Sequence, residues 1–411
     1  MRLPIGQLVA VALLAGCGAS EPADGGPVTV DVWLMRDSTT DDFTARFKED
    51  FEKNNPGVRL DIQIQEWDGI GPRVVSALAG NDAPDVIEVG NTQVAQYAAS
   101  GGLTDLTSKV DDLAGRDWIP GLRDPGALDG KQYGIPYYAA NRVVIYRKDL
   151  FEQAGVTPPK TRAEWLAATE KLNQGAVQGI YLPGQMWYAL AGFIWDEGGD
   201  LAVRDGTGWK GALATPQALA GADFYKRLQA LGKGPKDSDE AKPQQSDVFA
   251  GGEVAQMIAV PGAAKLITKA NPALADKLGF FPIPGKTADL PGAVFTGGSD
   301  LIIPVAAAQQ EEAYQVVKSL TGQKWQTELA RTMNYVPNRT SLAQAATDPG
   351  AQAMAAGARN GHGTPNSPNW AAVEARNPIK DYLTKMLTGA DPATAAREAD
   401  AVITAALNTG R

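Results

Sequence analysis

The feature that most constrains the fold is a regular alternation of strand-like and helix-like segments that begins at Val28. Apolar, β-branched runs at 28–34, 58–64 and 85–89 predict strands, and the periodic segments at 40–53, 70–79 and 92–100 predict helices. Strands separated by helices indicate a parallel, doubly wound α/β sheet, because parallel neighbours require a crossover connection. The length of 411 residues leaves room for two or three domains of ordinary size.

Polar and aromatic residues follow these strands directly. Glu66 and Trp67 come after the second strand, and Asn91 and Gln93 come after the third. Ligands of open α/β sheets bind outside the carboxyl ends of the strands. We therefore expect these four side chains to face a ligand.

The stretch 133–151 looks like a connection between two parts of the molecule. It begins with a short strand closed by Pro136, continues through Tyr138-Ala-Ala-Asn-Arg142, and resumes as a strand at 143–146 before a helix that starts at Asp149. Tyr137 and Tyr138, with an amide and a guanidinium after them, would suit a hinge that lines a cleft. A surface loop between neighbouring strands of one sheet is the alternative.

The first residues have the composition of a targeting segment. Arg2 is the only charge in 1–16, and the apolar run at 8–15 is too short to span a bilayer. The following Leu14-Ala-Gly-Cys17 resembles the lipobox of bacterial lipoproteins, in which the cysteine is acylated. This predicts a signal peptide at 1–16, a lipid anchor on Cys17 and a flexible tether at 17–27. A buried helical cysteine is the alternative.

Composition excludes several classes of function. Because the formal net charge is −9, we expect neither nucleic acid nor an anionic membrane surface as a partner. Cys17 is the only cysteine, so no intrachain disulfide can form. The only histidine, His362, lies between glycines, which gives little support to a transition-metal site or a Ser-His-Asp triad. We expect no cofactor, no metal and no catalytic residues.

A series of short motifs is spread over the whole chain after the tether. In order they are Pro-Asp-Val-Ile at 84–87, Gly-Gly-Leu-Thr-Asp-Leu at 101–106, the stretch 133–151, Thr-Arg-Ala-Glu-Trp at 161–165, Glu-Gly-Gly at 197–199, Phe-Ala-Gly-Gly-Glu at 249–253, Thr-Gly-Gly-Ser-Asp at 296–300 and Asn-Tyr-Val-Pro-Asn at 334–338. Their order and spacing resemble the extracellular solute-binding proteins of carbohydrate ABC importers, in the maltose-type branch. The segments 65–67, 88–93 and 139–142 are most similar to the chito-oligosaccharide binders of actinomycetes.

This resemblance implies a two-lobed, periplasmic-binding-protein-like α/β fold of type II that closes on sugar by a hinge motion. It implies an amino-terminal lobe of 28–137 plus 300–336 and a carboxy-terminal lobe of 138–299 plus 337–411. The crossings are expected near 137–141, 296–301 and 336–339, with Tyr137, Asn141, Gly298 and Ser299 at the ligand. The implied partners are an oligosaccharide, two permease subunits and their ATPase, at the extracellular face of the membrane. A monomer is expected.

Aromatic residues of the second half are further candidates, because pyranose rings stack on aromatic planes. Trp187, Ala191 and Trp195 share one face of a helix predicted at 186–197, as either cleft or core residues. Trp370 follows a loop rich in Pro and Asn, where the resemblance implies a stacking ring. The segment 260–264 lacks an aromatic residue that many relatives carry nearby. The chain ends in two predicted helices within 371–407.

The resemblance therefore favours capture of N,N'-diacetylchitobiose or a related chito-oligosaccharide, with maltose-type oligosaccharides as the alternative. Two other classes stay open. Acidic pairs such as Asp196 with Glu197, or Asp82 with Asp85, would suit a lipid-anchored glycoside hydrolase, which needs two carboxylates. A sensory or adhesion module without transport is the third possibility.

Overall fold

The computed structural model describes residues 26–67, 69–80 and 82–410. The predicted signal peptide, Cys17 and most of the predicted tether lie outside these residues. Within the described ranges, no helix combines the length and the apolar character that crossing a membrane requires.

The strands of the described chain are short, and most have six residues or fewer. They are β1 Val28–Met35, β2 Val58–Gln65, β3 Val86–Gly90, β4 Ala127–Leu128, β5 Lys131–Gln132, β6 Ile135–Ala140, β7 Val143–Arg147, β8 Ala202–Asp205, β9 Gly208–Gly211, β10 Gln256–Ala259, β11 Leu278–Phe281, β12 Val294–Phe295, β13 Gly297–Ile302, β14 Val336–Pro337 and β15 Gly361–His362.

The helices alternate with these strands and then dominate the carboxy-terminal part. They are α1 Asp41–Asn54, α2 Ile70–Ala79, α3 Val94–Ala99, α4 Pro120–Arg123, α5 Lys148–Gln153, α6 Arg162–Leu172, α7 Trp187–Asp196, α8 Pro216–Gln229, α9 Gln245–Ala250, α10 Ala263–Ala270, α11 Gln310–Leu320, α12 Gln323–Met333, α13 Pro349–Ala358, α14 Trp370–Arg376, α15 Pro378–Leu387 and α16 Pro392–Leu407. Short 3₁₀ turns lie at Asn91–Gln93 and Thr340–Ala345.

The larger sheet has six strands in the order β14-β6-β13-β3-β1-β2. Strands β1, β2 and β3 are parallel, as predicted, whereas β13 runs antiparallel to both β3 and β6. Apolar clusters cover both faces of this sheet, which accounts for the nearly continuous apolar sequence of β3. We call this sheet with its covering helices the first lobe.

Helix α1 shows how local sequence builds this lobe. Phe43, Phe47 and Phe51 recur every four residues and are all buried, and Trp325 of α12 packs edge-on against the first two. Thr40 caps the helix by accepting a hydrogen bond from Phe43 N at 3.2 Å. The predicted helix at 40–53 is therefore confirmed to within one residue.

A smaller sheet of three strands, β10-β7-β11, forms the centre of a second lobe. Both of its pairings are antiparallel. The largest apolar cluster of the described chain packs here and extends through α7, α8, α15 and α16. The mixed α/β architecture with two lobes agrees with the predicted fold class.

Two of the connections between the lobes lie side by side. Strand β6 stays in the larger sheet until Ala140, and β7 enters the smaller sheet at Val143. On the return, β13 joins the larger sheet at Gly297, which pairs with Ala140. The predicted lobe boundaries at 137 and 300 therefore fall inside β6 and β13 rather than between elements.

The third connection lies later in the chain than predicted. Residues just after β14 remain on the first lobe, because Asn338 Nδ2 donates to Pro136 O at 2.9 Å and Arg339 Nη2 donates to Thr321 O at 3.1 Å. Ser341 N still donates to Asp117 of the first lobe. Helix α13 then packs against β11, so the chain changes lobe between 341 and 349, not within 336–339.

Two further local predictions need correction. Pro136 does not close a strand, because β6 continues to Ala140; a register shift between Ser299 and Asp300 lies opposite this proline and accommodates its missing N–H. The carboxy-terminal region contains three helices instead of two. Asn377, with a positive φ of 40°, and Pro378 at the first position of α15 separate α14 from α15.

Candidate functional site

Trp67 presents an open aromatic ring at the carboxyl ends of β1, β2 and β3. The residue is 41% exposed, and its Nε1 donates to Arg36 O at 3.0 Å. A Cβ atom at Gly90 would lie 3.9 Å from the ring, so the indole covers this glycine at the end of β3. The anchored indole leaves one face free for an apolar ligand surface.

Glu66 lies beside this ring as an exposed carboxylate. It accepts a hydrogen bond from Arg36 Nε at 2.5 Å, and both side chains are more than half exposed. The pair therefore places a carboxylate and a guanidinium next to Trp67, where both can reach ligand hydroxyl groups.

The turn after β3 contacts the second lobe. Asn91 is buried, and its Nδ2 donates to Thr296 O at 2.9 Å, which ties the turn to the crossing before β13. Thr92 Oγ1 donates across the lobes to Glu374 Oε2 of α14 at 3.3 Å. Gln93 is half-buried and accepts a hydrogen bond from Tyr97. Of the two predicted residues here, Gln93 is thus the more accessible.

A cavity of about 350 Å³ opens on the second lobe next to this contact. Aromatic, charged and amide side chains line it: Trp187, Tyr188, Asp239, Glu240, Ala241, Glu374, Asn377 and Lys380. Lys380 pairs with Asp239 at 2.7 Å, and Arg142 pairs with Glu240 at 2.6 Å. Rings combined with a few placed polar groups are typical of a site for small polar ligands.

Arg142 connects the first crossing to this cavity. Its guanidinium lies 4.2 Å from the centre of the Tyr188 ring, and Tyr188 in turn packs at 4.9 Å on Phe295 just before the second crossing. The ring of Tyr188 is half-buried and remains accessible from the cavity. The residues at the crossings and the cavity wall therefore form one contact network.

The three tryptophans predicted for the cleft are enclosed. Trp187, Trp195 and Trp370 are 3%, 7% and 1% exposed. Trp370 packs 6.5 Å from Trp187 within the core of the second lobe, and Trp195 stacks on His362 at 5.3 Å. Only Trp187 also borders the cavity. Trp370 has no open face in this structure, so its stacking on a ligand stays a prediction.

The candidates at the crossings are also buried. Tyr137, Asn141 and Ser299 expose 1% or less, and the Tyr137 hydroxyl, Asn141 Oδ1 and Ser299 Oγ have no hydrogen-bond partner among the described residues. Gly298 has a φ of 148°, and an added Cβ would lie 2.0 Å from Tyr138 O. These residues lie between strands and shape the connection, and direct contact with ligand stays a prediction.

A buried carboxylate supports the loop after β1. Glu88 of β3 accepts hydrogen bonds from Met35 N at 2.8 Å and Ser38 Oγ at 2.6 Å, and the Ser38 hydroxyl also contacts Tyr138 Oη at 3.0 Å. Burial raises the pKa of Glu88 to about 7, against the effect of these hydrogen bonds. In the sequence, the buried carboxylate is indicated by a single acidic residue inside the apolar run Val86-Ile-Glu-Val89.

Sequence reasoning missed most of the cavity wall. Tyr188, Asp239, Glu240, Glu374, Asn377 and Lys380 were not predicted as site residues. Tyr188 follows the predicted Trp187, which was a usable signal. The charged residues come from loops and helix ends far apart in the chain, and no local pattern marks them. The described residues contain no group of three or more His, Cys, Asp or Glu that could hold a metal ion.

Comparison with known proteins identifies the family. Residues 36–327 match the profile described as bacterial extracellular solute-binding protein. The chain belongs to this family. This solute-binding protein is 38% identical to the diacetylchitobiose binding protein DasA of Streptomyces coelicolor, over 94% of this chain and 93% of that relative. It is 26% identical to a maltooligosaccharide ABC transporter solute-binding lipoprotein of Streptococcus pneumoniae, over 95% and 93% of the two chains.

A solved structure supports the fold of this solute-binding protein. The sugar-binding protein MalE of Xanthomonas citri superimposes with a TM-score of 0.83 at 24% identity, covering 92% of this chain and 97% of that one. The family inferred from the motifs is therefore confirmed, and so is the two-lobed α/β fold.

Proposed function

We propose that this solute-binding protein captures an oligosaccharide outside the cell and delivers it to the permease of an ABC importer. The observation that carries the proposal is the cavity of about 350 Å³ beside the contact between Thr92 and Glu374, where the two lobes meet. Its rings and carboxylates match the two surfaces of a pyranose, an apolar C–H face and a rim of hydroxyl groups.

The preferred ligand in this proposal is N,N'-diacetylchitobiose or a related chito-oligosaccharide. The similarity to DasA over nearly the whole chain supports this choice. Maltose-type oligosaccharides are the alternative, in view of the lower similarity to the maltooligosaccharide-binding lipoprotein. Trp67 of the first lobe is the ring that we assign to stacking. Tyr188 of the second lobe is packed between Arg142, Trp187 and Phe295, so it offers the ligand only its exposed edge.

The proposal includes the surroundings of the protein. Cys17 carries the lipid anchor, the chain is a monomer on the extracellular face of the membrane, and it docks on two permease subunits whose energy comes from an ATPase. The 17–27 segment acts as the tether. The similarity to lipoproteins of the same family supports the anchoring.

A hydrolase is disfavoured by the surroundings of one predicted acid pair, Asp196 with Glu197. Asp196 and Glu197 both form ion pairs with Arg162, at 2.8 and 2.9 Å, and Glu197 also pairs with Lys286 at 2.8 Å. Neither carboxylate lines the cavity beside Thr92 and Glu374. A glycosidase needs two carboxylates on either side of the bond that is cleaved, and two of the three carboxylates in this cavity, Asp239 and Glu240, are held in ion pairs by Lys380 and Arg142.

The test is a titration of the full-length protein, purified in detergent, with diacetylchitobiose, maltose and cellobiose, followed by tryptophan fluorescence. We expect saturable binding with diacetylchitobiose as the tightest ligand. A response to maltose alone would contradict the choice of sugar, and no response to any of the three would contradict sugar binding. Released monosaccharide after prolonged incubation would establish the hydrolase instead.

A further inference from the structure

Glu374 differs from the other carboxylates of the cavity because no cation neutralises it. Asp239 is paired with Lys380, and Glu240 is paired with Arg142. No lysine, arginine or histidine of the described chain lies within salt-bridge distance of Glu374. The cavity wall therefore retains one uncompensated negative charge, at the point where the lobes meet.

The neighbours of this carboxylate in the described chain are neutral donors. Its Oε2 accepts the hydrogen bond from Thr92 at 3.3 Å, and the indole N–H of Trp370 lies beside the same carboxylate. Burial raises the pKa of Glu374, which reflects the cost of a partly desolvated and unpaired charge. A cationic donor from the ligand would relieve this cost more than a neutral one, because charge-assisted hydrogen bonds are about twice as strong.

The aromatic wall next to Glu374 already holds one cation. Arg142 already lies over one face of Tyr188 at 4.2 Å, so that ring is used in a cation–π contact. Tyr188 and Trp187 line the same cavity as Glu374. A small ammonium group in this cavity would thus meet the Glu374 carboxylate beside two aromatic rings whose faces are already covered.

We propose that Glu374 is a specificity-determining residue that selects amino sugars with a free, protonated amine. The ligand class is the β-1,4-linked oligosaccharides of glucosamine from which the acetyl groups have been removed, in addition to their acetylated forms. The ammonium group binds the Glu374 carboxylate and supplies the cation that this carboxylate lacks. This inference rests on the proposed function, because it assumes that the cavity takes sugar.

The experiment compares three disaccharides that share the β-1,4 linkage and differ at carbon 2. They are the glucosamine disaccharide, diacetylchitobiose and cellobiose, titrated calorimetrically into the full-length protein in detergent. Near neutral pH we expect the glucosamine disaccharide to bind about tenfold more tightly than cellobiose, as a charge-assisted hydrogen bond should provide. At alkaline pH, where the amine is neutral, this advantage should disappear without any mutation.

Glu374→Gln keeps the shape of the side chain and removes its charge. We expect it to abolish the advantage of the glucosamine disaccharide over cellobiose. The affinity for diacetylchitobiose, whose acetamide is neutral, measures the loss that is common to all three sugars. Asp381→Asn on the exposed side of α15 is the matched control and should change neither affinity.

The outcomes separate the two proposals. If diacetylchitobiose binds but the glucosamine disaccharide binds no better than cellobiose, the selection by Glu374 is wrong and the proposed function stands. An advantage that survives in Glu374→Gln, or at alkaline pH, also overturns the role of Glu374. If none of the three sugars binds, the proposed function fails and this inference fails with it.

Discussion

Trp67 allows the roles of exposed and buried aromatic residues to be separated by mutation. Because the indole is 41% exposed and anchored only by its Nε1, Trp67→Ala should leave the melting temperature nearly unchanged. If the ring stacks on a pyranose, loss of the stacking and of its buried area should weaken sugar binding about tenfold. Calorimetric titration with diacetylchitobiose measures the effect, and unchanged affinity would remove Trp67 from the site.

Trp370→Ala should have the opposite profile. The ring is 1% exposed and packs against Trp187, so its removal leaves a cavity in the second lobe and should cost about 3–5 kcal/mol of unfolding free energy. Denaturant unfolding measures this cost. The sequence predicted a stacking ring at this position; a variant with normal stability and strongly reduced affinity would restore that interpretation.

Asp300 predicts an unusual dependence of stability on pH. Both carboxylate oxygens are buried without a hydrogen-bond partner in the described chain, and burial raises the pKa well above its usual value. The unfolded chain loses this proton from about pH 4 upward while the folded protein retains it, so the contribution to stability falls as pH rises.

Asp300→Asn should therefore raise the melting temperature at neutral pH and change it little in acid. Each unit of pKa difference corresponds to about 1.4 kcal/mol. Thermal unfolding followed across the pH range measures the effect. Asp289→Asn in an exposed loop is the control, and equal behaviour of the two variants would show that the buried carboxyl has no special cost.

At the scale of elements, periodicity predicted the strands and helices of residues 28–100 closely. Strand β2 ends one residue later than predicted, and α2 occupies the predicted 70–79. These elements are encoded locally, because alternation and helical spacing are visible within ten residues. Strand β6 was misjudged because Pro136 is tolerated only through a register shift in β13, a partner more than 150 residues away in the chain.

Contacts between residues far apart in the chain also decide where the chain changes lobe. The third crossing was placed too early because nothing local reveals that Asn338 donates to Pro136 and Arg339 donates to Thr321. Prediction of the candidate site had the same limit. Glu66 and Trp67 follow a predicted strand and lie at its exposed end, whereas Glu374 enters the cavity wall beside residues far away in the chain, such as Trp187 and Asp239.

At the scale of the whole molecule, the proposed anchor can be tested apart from sugar binding. Cys17→Ala removes the only cysteine and with it the proposed acylation site. Because the acyl chains would supply the attachment to the bilayer, the variant should move from the membrane fraction to the medium. Fractionation followed by immunoblotting measures this, with Cys17 intact as the control; unchanged fractionation would contradict the lipid anchor.

The pairing of Gly297 with Ala140 has a mechanical consequence for the molecule as a whole. Two of the connections leave the larger sheet side by side, as a ribbon of two antiparallel strands. Such a ribbon flexes readily across its thin dimension but resists bending in its own plane, which would stretch the hydrogen bonds that join the strands. We therefore expect the lobes to move most easily in one direction. One pair of spectroscopic labels, beside Trp67 and on α15, would then follow most of the motion along a single coordinate.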